Sequence, residues 1–122
     1  VRKVQDDEFL LVLHNCGNTG HCTDAMIYTQ ADGYHFGNRI NMVDAINGCP
    51  ATSLVMGNLD PVSLFKIASS EEVYHQTLRL LEKMADYPNF ILSSGCDIPP
   101  HVPIGNIHGF YSALRDYNKS RL

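Results

Sequence analysis

The stretch Phe9-Leu10-Leu11-Val12-Leu13-His14-Asn15-Cys16-Gly17 decides how this chain is read. An unbroken apolar run that ends in polar residues and glycine is the pattern of a buried strand running into a turn. A second run, Phe90-Ile91-Leu92, is followed by Ser93-Ser94-Gly95-Cys96-Asp97 and repeats the arrangement. If both strands lie in one parallel sheet, the imidazole of His14 and the thiols of Cys16 and Cys96 converge on one rim. That set suits Zn²⁺, which takes N and S donors at about 2.0–2.3 Å and stays open for chemistry when the protein supplies three of them.

Working outward, four strand–loop–helix units follow one another. The first unit has its strand at 9–14, a Gly/Asn/Thr loop at 15–20 and a short helix at 21–30. In the second, a weaker strand at 33–37 precedes a helix at 41–47 that stops at Gly48 and Pro50. The third strand, 53–56, leads through Gly57-Asn58-Leu59-Asp60-Pro61 and a helical turn at 61–66 into a helix at 70–86. Ser69 and the acids Glu71 and Glu72 mark the start of that helix, and Val73, Thr77, Leu80, Leu81 and Met84 form its apolar stripe. A fourth strand at 89–94 and a last helix at 103–117 complete the order. Alternating strands and helices imply parallel βαβ units. The expected class is α/β, four consecutive βα units amounting to half of a (β/α)8 TIM-type barrel. Residues 1–122 should form one domain, and a half-barrel exposes two sheet edges and an open face. It is therefore expected either to be a fragment of a longer barrel or to associate with another copy.

Composition excludes some functions. A net charge of −4, with basic residues scattered, speaks against nucleic acid as a partner. No apolar stretch approaches the ~20 residues that span a bilayer. The N-terminal segment Val1-Arg2-Lys3-Val4-Gln5-Asp6-Asp7-Glu8 has no signal-peptide core, so a cytoplasmic protein is expected. In that setting the four cysteines are metal ligands or packed thiols, and the packed reading suits Cys22 and Cys49. The loop Gly17-Asn18-Thr19-Gly20 could cradle an anion with its amides but lacks a phosphate-loop pattern.

Three segments carry a resemblance: His14-Asn15-Cys16-Gly17-Asn18, Gly57-Asn58-Leu59-Asp60-Pro61, and Ile91-Leu92-Ser93-Ser94-Gly95-Cys96-Asp97-Ile98-Pro99. In this order they resemble the C-terminal half of the uroporphyrinogen decarboxylase superfamily. Pro103-Ile104-Gly105-Asn106-Ile107 resembles the segment that opens its last helix. The His-x-Cys…Cys arrangement is similar to that of the zinc-dependent methylcobamide:thiol methyltransferases, including those acting on coenzyme M. The resemblance implies strands five to eight of a (β/α)8 barrel, with His14, Cys16 and Cys96 as zinc ligands. It further implies a methylated corrinoid (methylcobamide) protein as donor and partner, a small thiol as acceptor, and an N-terminal half-barrel to pair with. Some relatives place a carboxylate near the zinc from the strand that here reads Tyr34-His35-Phe36-Gly37-Asn38. Without an acid there, the fourth position falls to His35, water or the substrate thiol.

The chemistry favours a thiol acceptor on separate grounds. Two thiolates and a neutral imidazole offset the charge of Zn²⁺, so a substrate thiolate stays nucleophilic; three imidazoles would favour water activation. Asn58 and Asp60 sit on a strand-end loop, where they either line the substrate pocket or, for Asp60, cap the turn before Pro61. Two rival readings stand beside methyl transfer. One is a decarboxylase-like enzyme acting on a tetrapyrrole. The other is a non-catalytic half-barrel that binds zinc or a corrinoid protein.

Overall fold

The computed structural model describes residues 1, 3–18 and 20–121. Its elements alternate as read from the sequence: β1 (Val12–Asn15), α1 (Thr23–Tyr28), β2 (Gly33–Phe36), α2 (Met42–Gly48), β3 (Leu54–Leu59), α3 (Ser70–Lys83), β4 (Phe90–Ser94) and α4 (Ile104–Lys119). The strands form one parallel sheet in the order β1-β2-β3-β4. Short turns precede two helices, Gly20–Cys22 before α1 and Ser63–Ile67 before α3.

The period of two along each strand separates the faces. Tyr34, Phe36, Val55 and Leu59 point to the helices and are buried, with Met26, Met42, Ala45, Ile46 and Met84 packed over the first three. A second cluster, Leu64, Phe65 and Val73, gathers around Leu59 with Ile107 and Phe110 beside it. On the other face the register aligns His14, His35, Met56 and Ile91 across all four strands. That face is open: Val12 is 46% exposed and Ile91 41%.

Several boundaries differ from expectation for identifiable reasons. Phe9 and Leu10 do not extend β1 and lie exposed, because β2 begins at Gly33, opposite Val12, and offers them no ladder partner. The two apolar runs are accordingly half-buried strands, covered on one face only. β3 runs on to Leu59 because Asn58 and Leu59 pair with Ser93 and Ser94. α3 stops at Lys83, ahead of Pro88, and begins where Ser69 accepts a hydrogen bond from the Glu72 amide at 3.2 Å. Pro103 caps α4 from outside its first turn.

One buried polar side chain ties the second cluster together. Asn106, 3% exposed in the first turn of α4, donates through Nδ2 to the carbonyls of Phe65 (2.8 Å) and Ala68 (2.9 Å). These carbonyls belong to the turn before α3, where Phe65 is buried and Ala68 half-buried, so the amide supplies the former with a donor that water would reach poorly. The Gly17–Gly20 loop includes Thr19, and Arg2 lies in the N-terminal segment; both residues fall outside those described.

Candidate metal centre

Neighbouring strands stand about 4.8 Å apart, so β1 and β4 would lie about 14 Å apart in a flat sheet. The end of β1 and the turns after these two outer strands nevertheless bring His14, Cys16 and Cys96 together. Their Nδ1/Nε2 and Sγ atoms all lie within 4.8 Å of one another. Among the described residues this is the cluster of three His, Cys, Asp or Glu side chains able to hold a metal. Donors in a tetrahedral zinc site are separated by about 3.5–3.8 Å. The trio therefore fits zinc with a side-chain adjustment of about 1 Å, and its soft sulfur donors suit that ion over magnesium or calcium. His14 and Cys16 are exposed and Cys96 is half-buried, so the open inner face gives access to the site.

The local backbone explains the convergence. Gly37, just past β2, leaves room for the Cys16 turn: a Cβ there would meet Cys16 Cα at 3.0 Å. Gly95 does the same for the Cys96 turn, since its Cβ would lie 2.5 Å from the Asn38 amide nitrogen. Any larger residue at Gly95 pushes the Cys96 turn away from the end of β2.

The other candidate residues go elsewhere. His35 stands outside the cluster, and its Nε2 lies 2.7 Å from the Ser94 carbonyl oxygen. A carbonyl only accepts, so Nε2 carries a hydrogen and the ring's free lone pair is on Nδ1. Asn58 donates to the carbonyls of Gly37 (3.0 Å) and Ile40 (2.6 Å), pinning the loop after β2. Asp60 accepts from the amides of Val62 and Ser63, each at 2.8 Å, and from the Asn38 side chain at 2.6 Å. Both residues line a cleft of about 360 Å³ shared with Ser63, Glu72 and Gln76, and none of the three clustered donors lines it.

Partial burial pushes the Asp60 pKa up, but the hydrogen bonds from Ser63, Val62 and Asn38 outweigh it and hold the carboxyl below its usual range. A lowered folded pKa adds stability above the ordinary carboxylate value near pH 4, and that stability is lost as pH falls through the folded value. Asp60→Ala should therefore cost about 1 kcal/mol at neutral pH, comparable with loss of a helix cap. Urea melts at pH 7 and pH 3 would check this, the difference from wild type shrinking at the lower pH.

The four cysteines are free thiols. Burial pushes Cys49 up to about 11, which removes it from thiolate chemistry at neutral pH. Cys22 is half-buried and stands outside the cluster.

The uroporphyrinogen decarboxylase (URO-D) family model matches residues 1–117. The chain belongs to the uroporphyrinogen decarboxylase family. Relatives of this URO-D chain fall into two groups. A methylcobamide:CoM methyltransferase MtbA from Methanosarcina acetivorans is 28% identical over 106 residues, covering 87% of this chain and 30% of that protein. A uroporphyrinogen decarboxylase from Novosphingobium aromaticivorans is 36% identical over 70 residues, covering 57% of this chain and 20% of that protein. The solved structure of a methyltransferase from Methanosarcina mazei superposes with a TM-score of 0.78 at 20% identity, covering 89% of this chain and 32% of that one. The URO-D chain thus has the fold of part of a TIM-type barrel and spans about a third or less of the length of these relatives. Among the described residues no helix is long and apolar enough to cross a membrane.

Proposed function

We infer that the protein containing this chain transfers a methyl group from a methylated corrinoid protein to a small thiol, with coenzyme M the first acceptor to try. The observation that carries this reading is the His14–Cys16–Cys96 cluster, three N and S donors within 4.8 Å on an accessible face. Zinc held there would supply a cation that makes a bound thiol ionise at neutral pH while the two cysteinates keep its sulfur electron-rich. His14 serves as a neutral ligand, while Cys16 and Cys96 bring the negative charge. His35 stands outside the cluster and gives its Nε2–H to Ser94, and in this reading the fourth position would be open to the substrate sulfur. In the transfer, the C–S bond forms as the Co–C bond breaks, the bonding pair stays on cobalt, and the thiol proton passes to solvent. The inner face bearing Val12 and Ile91 would be covered by an N-terminal half-barrel from the remaining length of the protein, with self-association as the alternative cover for an isolated chain.

The test is methyl transfer from methylcobalamin to coenzyme M by the full-length protein, followed by thioether formation. Turnover that falls at least roughly 100-fold in His14→Ala and Cys96→Ser supports the reading, since two of three metal ligands are touched. The similarity to a decarboxylase over 70 residues keeps one rival in view. Porphyrinogen decarboxylation that survives both substitutions and a chelator would replace methyl transfer with that activity.

A further inference from the structure

The end of β2 gives no donor to the cluster, yet it lies between the two turns that do. Gly37 is against the backbone of Cys16, and Asn38 is against Gly95. The His35 ring lies 4.6 Å from the His14 ring, centroid to centroid, tilted by 36°. Its Nε2–H donates to the Ser94 carbonyl at 2.7 Å, and Ser94 Oγ donates in turn to the Cys96 carbonyl at 2.7 Å. One imidazole therefore limits rotation of the first donor and holds the strand end that carries the third. The segment is itself fixed from β3, through Asn58 to Gly37 and Ile40 and through Asp60 to Asn38.

We propose that His35 is a positioning residue of the metal site, setting the spacing of His14 and Cys96 through ring contact and the hydrogen bond to Ser94 while giving the metal no bond of its own. This rests on the metal-site reading above. Groups that orient ligands in this way typically change metal affinity by about 10–100-fold when removed.

The experiment compares wild type with His35→Phe, which keeps a ring and loses the donor, and with His35→Gln, which restores an N–H near the position of Nε2. Zn²⁺ affinity is measured by chelator competition on the full-length protein. Phenylarsine oxide, which joins two close thiols with loss of one water, reports the Cys16–Cys96 spacing without zinc. His35→Phe should weaken both by about 10-fold or more, and His35→Gln should recover a large part. The Co²⁺-loaded proteins should keep the thiolate-to-metal absorption and ligand-field bands of wild type in both variants. Unchanged affinity for both probes in His35→Phe would overturn the proposal. So would ligand-field bands that shift to a different coordination when His35 is replaced, since His35 would then be a ligand. If wild type fails to bind zinc but the arsenical still separates the variants, the positioning role stands and the methyl-transfer reading falls. Should His35→Phe not fold, His35→Leu takes its place: arsenical affinity equal to wild type in that variant, which has neither ring nor donor, refutes the proposal.

Discussion

Cys96→Ser is expected to strip the protein of zinc. Wild type purified without chelator should carry about one zinc per chain, since zinc sites of this type use three or four protein ligands. Apparent zinc binding energies in small domains run to about 10–16 kcal/mol over a full ligand set, so one thiolate accounts for roughly 3–4 kcal/mol. Affinity should therefore fall by roughly 100- to 1000-fold in Cys96→Ser and in Cys16→Ser alike. The serine hydroxyl is similar in size but remains protonated at neutral pH and binds zinc poorly. Elemental analysis with chelator competition reads the effect, and circular dichroism confirms that the sheet persists. Zinc content that survives both substitutions would place the metal elsewhere and remove the basis for thiol chemistry at this rim.

Asn106→Leu is expected to be the most damaging single change outside the metal cluster. The two carbonyls it serves, Phe65 and Ala68, lie beside a core in which Phe65 is 1% exposed and its ring stands 5.5 Å from Phe110. Leucine matches the volume but donates nothing, so both carbonyls lose this donor, the Phe65 one in a buried position. At about 1–3 kcal/mol for the buried Phe65 carbonyl and about 1 kcal/mol for the bond to the half-buried Ala68 carbonyl, the loss should reach about 2–4 kcal/mol. For a domain of 122 residues, each kcal/mol moves the melting point by about 3–5 °C. Asn106→Asp would keep the shape and place a carboxylate against two carbonyls, so it should be no better tolerated. A Leu variant that melts within a degree or two of wild type would show that water replaces the amide.

The sequence makes the order of elements legible because each strand is a short apolar run and each helix has a stripe or a cap, signals contained within a few residues. It misplaces the start of β1 because apolar character at Phe9 and Leu10 says nothing about where the neighbouring strand begins. It stops β3 early because Gly57 and Asn58 interrupt the apolar pattern, although their backbone continues the ladder. At the metal cluster, His14, Cys16 and Cys96 stand out because each lies at or just past the end of an apolar strand. The supporting residues do not. His35 and Ser94 are 59 residues apart, and Asn38 and Asp60 are 22 apart. A single hydrogen bond between such positions leaves no period to read. Gly95 and Asn106 occur within recognisable segments, but the close approach of Asn38 and the two carbonyls under α4 become visible only in three dimensions.

The clustered donors come from the two strands at opposite edges of the sheet. An ion gripped by all three would therefore close a ring that runs through β1, β2, β3 and β4 and back through the metal. Such a ring resists flattening, so occupancy would set the curl of the entire sheet and with it the angle at which both free edges meet their neighbours. Loading the metal would then act on assembly as well as on chemistry. Amide exchange should slow along β2 and β3, which supply no ligand, by as much as along the strands that do.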